Sequence, residues 1–323
     1  MKKILIARFS SIGDVVITSA VVRNVRKAFP EAEIHFATKK EFFDLIAHNP
    51  NIDVPRLLGT EWEPYLSTFK AEEFDLYIDL HKNIRTRLIY RASKSNRYIT
   101  YNKKNLWKWL LVHFKVNKLN GYSVNTSYFD GLTSIGIMYD GLGLDFFIGD
   151  TAEEQNALAM GEFVAVALGG QYATKQAPRE KLDYVLERIE KPVVLLGGKA
   201  EKELADFLAS KYDKVSSMVG KTSLLESAIY IRHAGKVLSN DTGMMHIAAA
   251  MQKDMAVLWG SSVKEFGFSP IYPNHSQALV EHFEQPTLKC RPCSKLGKSS
   301  CPKTHFKCMN DHNYDRVAEF LNQ

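Results

Sequence analysis

No stretch of the chain is long and apolar enough to cross a bilayer. The longest run without Asp, Glu, Lys or Arg is Phe266 to Val280, 15 residues that include Pro270, Pro273 and His275. A secretory leader finds no support either, because Arg8 and Asp14 interrupt the apolar segment behind the opening lysines and no small-residue cleavage site follows. A cytoplasmic setting is expected. Asp-x-Asp and GxxxxGK[ST] are both missing, which removes support for a metal-bridged nucleotide sugar and for a P-loop triphosphatase. Low-complexity tracts and fixed-period repeats are absent. Cysteine is scarce and confined: Cys290, Cys293, Cys301 and Cys308 fall within 19 consecutive residues, so no disulfide framework spans the chain.

What is present is an ordinary globular balance, 45% hydrophobic and 24% charged over 323 residues, a length that suggests two domains. The net charge of +6 is unevenly spread. From His81 to Asn120 there are 11 Lys or Arg and no acid, leaving 31 basic residues against 36 acidic ones elsewhere. A single basic block in an otherwise acidic chain points to a local anionic partner, and a solvated helix face is the plainer alternative.

Apolar periodicity opens the chain as strand (Ile4 to Phe9), loop and helix (Val15 to Phe29), followed by a strand at Ile34 to Ala37. A helix at Glu41 to Ala47, a strand at Phe74 to Leu80 and an amphipathic helix at Asn105 to Val116 continue it. After the polar stretch GDTAEEQ a second series begins, with strands at Phe163 to Leu168, Val193 to Leu196, Lys236 to Ser239 and Met255 to Trp259. Its helices are Arg179 to Ile189, Glu201 to Ser210, Ser223 to His233 and Met244 to Met251. The expected class is α/β, two doubly wound domains at 1–155 and 156–310. A terminal helix in 311–323 carries one apolar stripe and is expected to dock back on the first domain.

Two strand-to-helix junctions stand out. Ser10, Ser11, Ile12, Gly13 and Asp14 put a carboxylate in the first turn of a helix, where the macrodipole keeps it ionised as a proton acceptor; taken alone it also reads as a cap. Asp241, Thr242, Gly243 and His246 open another helix, whose free N–H groups suit a phosphate or diphosphate. Gly169 to Lys175 and Gly197 to Glu201 follow two further strands. Lys175 would neutralise phosphate and Glu201 would accept from ribose hydroxyls, although each segment alone is an ordinary turn.

Together, RFSSIGDVVITSAVVRNVRKAFP, SNDTGMMHIAAAM and CRPCSKLGKSSCPKTHFKCM resemble the glycosyltransferase family that contains the lipopolysaccharide ADP-heptose heptosyltransferases. The resemblance implies two facing Rossmann-like domains of the GT-B type. It also implies inverting, metal-independent transfer from a nucleotide-activated sugar, most simply heptose from ADP-heptose, to a lipopolysaccharide inner-core acceptor. By position Asp14 matches the general base, Lys175 a phosphate-binding lysine and Glu201 a ribose-binding glutamate. Asp241, Thr242, Gly243 and His246 match the donor-diphosphate motif, and Thr222 loosely matches a residue near the base. One departure is the loop GGQYAT, which lacks a hydroxyl pair found upstream of the lysine in some relatives. Alternatives are transfer from another nucleotide sugar, a nucleotide-sugar epimerase, and a catalytically dead binding protein.

The expected partners are a nucleotide-sugar donor, a phosphorylated lipid A core acceptor and the inner face of the cytoplasmic membrane, with no nucleic acid. Ser10, Ser11 and Gly13 are assigned to the acceptor loop. Lys82, Arg85, Lys103, Lys104 and Lys108, interleaved with Trp107 and Trp109, are assigned to acceptor phosphates. No cofactor is required for catalysis. For the cysteines, spaced C-x₂-C-x₇-C-x₆-C, a structural zinc, reduced packing thiols and a redox or iron-sulfur role are all open, since only one tight C-x-x-C pair occurs.

Overall fold

The computed structural model describes residues 1–149 and 153–323. The expected boundary stretch GDTAEEQ therefore falls partly outside the described residues. The chain divides into two compact units. One comprises Met1–Lys103, Tyr122–Gly149 and Pro273–His275; the other comprises Lys104–Gly121, residues 153–272 and Ser276–Gln323.

The first unit holds a parallel sheet of β1 (Lys3–Ala7), β2 (Glu33–Lys39), β3 (Val54–Leu58), β4 (Leu76–Asp79) and β5 (Arg97–Thr100), in the order β3-β2-β1-β4-β5. Its middle strands are apolar on both faces because helices cover both sides, as parallel sheets require. The helix Ile12–Ala28 starts where Asp14 accepts from the Ser11 backbone N–H, and the chain turns away at Pro30. Leu5, Ala7, Phe9, Phe69, Phe74 and Tyr77 are in the buried core.

The second unit holds β6 (Val164–Ala167), β7 (Val193–Leu196), β8 (Val215–Ser217), β9 (Lys236–Asn240), β10 (Asp254–Leu258) and β11 (Val280–Phe283), also parallel, in the order β11-β10-β9-β6-β7-β8. Counted within each unit, both sheets follow the dinucleotide-fold order, which reverses between strands one and four. The reversals lie at β1/β4 and β6/β9.

Several expectations change. The helix expected at Glu41 to Ala47 is a 3₁₀ segment, Lys40–Leu45, and the one expected to reach Val116 ends at Phe114. The terminal helix Tyr314–Asn322 was expected on the first domain. Instead, Tyr314, Val317, Phe320 and Leu321 enter the second unit's core. Phe320 and Leu321 are fully buried there, each contributing roughly 2 kcal/mol of apolar burial.

Candidate active site

At the β1/β4 reversal the chain leaves β1 through Arg8. This arginine sits at the end of a buried strand, where its charge needs partners. It finds four. Its Nη2 lies 2.6 Å from Asp14 Oδ1, Nε donates to the Ser10 carbonyl at 2.6 Å, and Nη1 donates to the Leu80 carbonyl at 2.5 Å and the Tyr101 hydroxyl at 3.3 Å. The Ser11 hydroxyl donates to Asp14 Oδ2 at 2.9 Å. Burial works to raise the Asp14 pKa, but the Arg8 charge and the Ser11 donors outweigh it and hold the carboxyl below its ordinary range. Asp14 is thus ionised at neutral pH. Burial, reinforced by the Arg8 charge, pulls neighbouring His81 down to about 4, so its ring is neutral at pH 7.

The β6/β9 reversal carries the second constellation. Lys175 Nζ lies 2.6 Å from Asp241 Oδ2, and Ser262 Oγ donates to the same oxygen at 2.5 Å. Thr242 caps the helix Gly243–Ala250, and its Oγ1 is buried without a protein partner. His246, one turn in, is buried. A helix N-terminus, an ammonium and a buried hydroxyl brought together are an arrangement suited to an anion. Beside it Glu201 accepts from the Gly198 N–H at 2.9 Å, and a Cβ on Gly197 would come within 3.4 Å of Glu201 Oε2, so glycine here keeps that carboxylate's surroundings open. Thr222 is held by the Met218 carbonyl and Ser227, on a turn whose Gly220 N–H donates to Gly197. Lys175, Glu201, Thr222, Asp241, Thr242, Gly243 and His246 therefore all belong to one unit, most of them on adjoining strand ends.

The residues assigned to acceptor phosphates divide between the two units. Lys82, Arg85 and Lys103 belong to the first unit, Lys104 and Lys108 to the second. Lys82 Nζ donates to the Tyr101 carbonyl at 2.9 Å, and the Arg85 guanidinium lies over Trp62. Lys108 is only 3% exposed, its ammonium 5.1 Å from the Phe268 ring centroid, which departs from a solvent-facing phosphate contact. Sequence reasoning missed Arg8 and Ser262. The available signal was Arg8 itself, a charge ending an apolar central strand.

All four cysteines and His305 line one pocket, with Cys290 Sγ 3.9 Å from His305 Nε2. Burial pushes the Cys308 thiol up to about 12 and also raises Cys293. This segment supports the anion site. Lys298 N–H donates to Thr174 Oγ1 at 2.8 Å, next to Lys175, and Arg291 donates to the Gly260 and Ser262 carbonyls at 2.8 and 2.9 Å. Among the described residues, Glu33, His35 and Glu72 alone bring three ligating atoms within 4.8 Å of one another. Both of those carboxylates already pair with Lys3, and Glu72 also with Arg56.

A family model described as glycosyltransferase family 9 (heptosyltransferase) matches residues 66–297. Lipopolysaccharide heptosyltransferase 1 of Campylobacter coli is 22% identical over 327 positions, covering 92% of this chain and 93% of that protein. The E. coli ADP-heptose LPS heptosyltransferase II structure superposes with a TM-score of 0.74 at 16% identity, over 100% of this chain and 98% of that one. The iron-containing dodecameric glycosyltransferase TibC from enterotoxigenic E. coli gives 0.59 at 12% identity, over 99% and 75%. The architecture is the α/β fold of these structures, GT-B in type.

Proposed function

Because the chain belongs to glycosyltransferase family 9, we propose that it is an inverting, metal-independent transferase that moves heptose from ADP-heptose onto a lipopolysaccharide inner-core acceptor. The observation that carries this is the anion site at the β6/β9 reversal, where Lys175 and the N-terminus of helix Gly243–Ala250 meet the buried Thr242 hydroxyl. There the diphosphate of the leaving nucleotide would rest, with Glu201 toward its ribose. The acceptor hydroxyl attacks the anomeric carbon, the new C–O bond forms as the bond to the diphosphate breaks, and the hydroxyl proton passes to Asp14. A carboxylate held below its ordinary range is a weak base, so it takes a proton that the forming bond has already made acidic. Lysine and helix dipole supply the positive charge that a metal supplies in other transferases. The sugar and base are read from the relatives' names, and the acceptor, carried on lipid A, places the reaction at the inner face of the cytoplasmic membrane.

The test is incubation with ADP-heptose, GDP- and UDP-sugars and lipid A core acceptors, with and without chelator, followed by mass spectrometry and NMR of the new anomeric centre. Expected is a gain of one heptose from ADP-heptose alone, chelator-insensitive and with inverted configuration. Preference for a UDP- or GDP-sugar would overturn the donor, and interconversion of sugars without acceptor would mark an epimerase.

The thiol pocket supports a separate structural proposal, one Zn²⁺ held by soft donors from Cys290, Cys293, Cys301 and either Cys308 or His305. The donors suit zinc in chemistry and share one pocket, but no three of them lie within 4.8 Å of one another here, so a metal would have to draw them together. Its role would be to fix the segment that braces Thr174 and Ser262, and so the anion site. Metal analysis of anaerobically purified protein should find about one zinc per chain, lost together with thermal stability in Cys290→Ser/Cys293→Ser. Iron in its place would match the TibC description; metal-free protein with an unchanged melting temperature would leave the cysteines as packing residues.

A further inference from the structure

The helix Asn105–Phe114 is turned the wrong way round for a helix in water. Leu106, Trp109, Leu110, His113 and Phe114 recur at i, i+3, i+4, i+7 and i+8, the spacing of a single apolar stripe that ordinarily faces a core. Here that stripe faces out. Leu106 and Phe114 are each 62% exposed and Trp109 50%, with Trp107 and Val116 also exposed beside them. The opposite side carries Lys108, buried against Phe268, and Leu111, also buried. Leaving two indoles, a phenyl ring and a leucine outside runs against the hydrophobic effect.

The surroundings are basic. Residues 104–121 contain four lysines and no acid, and residues 285–310 contain six Lys or Arg and no acid. Hydrogen bonds join these segments within the second unit: Lys115 Nζ donates to the Pro292 carbonyl at 2.7 Å and to the Cys290 carbonyl at 3.5 Å, and Lys295 Nζ to Asn105 Oδ1 at 2.7 Å. Leu296, next to Lys295, is exposed as well. The result is one face with projecting tryptophan, phenylalanine and leucine set among lysines.

We infer that this face docks on an anionic phospholipid bilayer. Indole and phenyl rings belong at the headgroup level, and lysines beside them are drawn to a negative surface. A second copy of the chain is the poorer occupant, because a symmetric contact would set the lysines of two copies against one another. The use of such docking rests on the membrane-borne acceptor proposed above, but the docking itself can be measured without acceptor or donor.

The probe is vesicles of phosphatidylcholine, alone or with about a third phosphatidylglycerol, read by sedimentation and by tryptophan emission with brominated acyl chains. Wild type should bind the anionic vesicles with a blue shift and bromine quenching, and release as salt rises. Trp109→Ser/Phe114→Ser changes exposed positions only and should keep the melting temperature and transfer to a short water-soluble acceptor, while vesicle binding falls about tenfold. Absence of binding to anionic vesicles, equal binding by the variant, or a variant-sensitive dimer in light scattering overturns the proposal. Vesicle failure with intact transfer leaves the enzymatic reading standing; docking without sugar transfer removes that reading and leaves the docking.

Discussion

The two sheets place a cation–carboxylate pair at the same topological position, and the pairs are built in opposite senses. At β1/β4 the more accessible member is the acid: the Asp14 side chain is 15% exposed and Arg8 9%. At β6/β9 it is the base: the Lys175 side chain is 17% exposed and Asp241 8%. The first unit therefore presents a carboxylate, backed by an arginine anchored on two carbonyls, and the second presents an ammonium, backed by an aspartate anchored on Ser262. One scaffold leaves a carboxylate accessible in one unit and an ammonium in the other, depending on which ion is fixed in place, and the roles proposed above for Asp14 and Lys175 follow that division.

The largest effect should come from removing the accessible acid. Asp14→Asn keeps the shape and loses the basicity, so turnover should fall by about 10² to 10⁴ while ADP affinity, measured by calorimetry, stays as it was. A variant retaining more than about a tenth of the wild-type rate would return Asp14 to the capping role. Removing the accessible base should act in the other sense. Lys175→Ala should weaken ADP binding by roughly 10- to 100-fold, the worth of a charge-assisted contact, and flatten its salt dependence. If ADP affinity is unchanged and only turnover drops, the two pairs do not divide the work as described.

How much of this was legible follows the same division between fixed and accessible parts. The strands predicted for both units are the central ones, ILIA, VAVA and VVLL among them, because burial on both faces writes a continuous apolar run. The four strands missed, VPRLL, RYIT, VSS and VEHF, are the four sheet edges, where one side is open and polar residues are tolerated. Asp14, Lys175 and the Asp241 motif were legible because they interrupt strand-to-helix junctions with groups a turn does not need. Arg8 was not singled out, since its partners at Leu80 and Tyr101 lie 72 and 93 residues away and only tertiary contact identifies them. Helix Asn105–Phe114 was only half legible. Its tryptophans were read as lying beside basic residues that meet an anionic acceptor, and Trp109 and Phe114 are exposed, but Lys108, assigned to the same contact, is buried on the opposite side.

The smallest effect concerns the backing ion of the first pair, and its sign can be worked out. In the wild type, Asp14 is held below the ordinary carboxylate range, so kcat/KM should stay flat on acidification until below about pH 4, and no acid limb from Asp14 should appear above it. The same lowered pKa contributes stability that is present above the unfolded value and lost as pH falls through the folded one. Replacing Arg8 with Gln removes the charge that opposes burial. Burial is then opposed by the Ser11 donors alone, the Asp14 pKa rises, and the acid limb should move to higher pH. The variant loses part of the stability that ionised Asp14 contributes at pH 7, so its melting temperature, lower there, should approach the wild-type value as pH falls. Arg8→Lys, which restores the charge but not the fork of donors, should lie between the two. An acid limb that stays in place in Arg8→Gln would assign it to a group other than Asp14 and break the parallel between the two pairs at its first member.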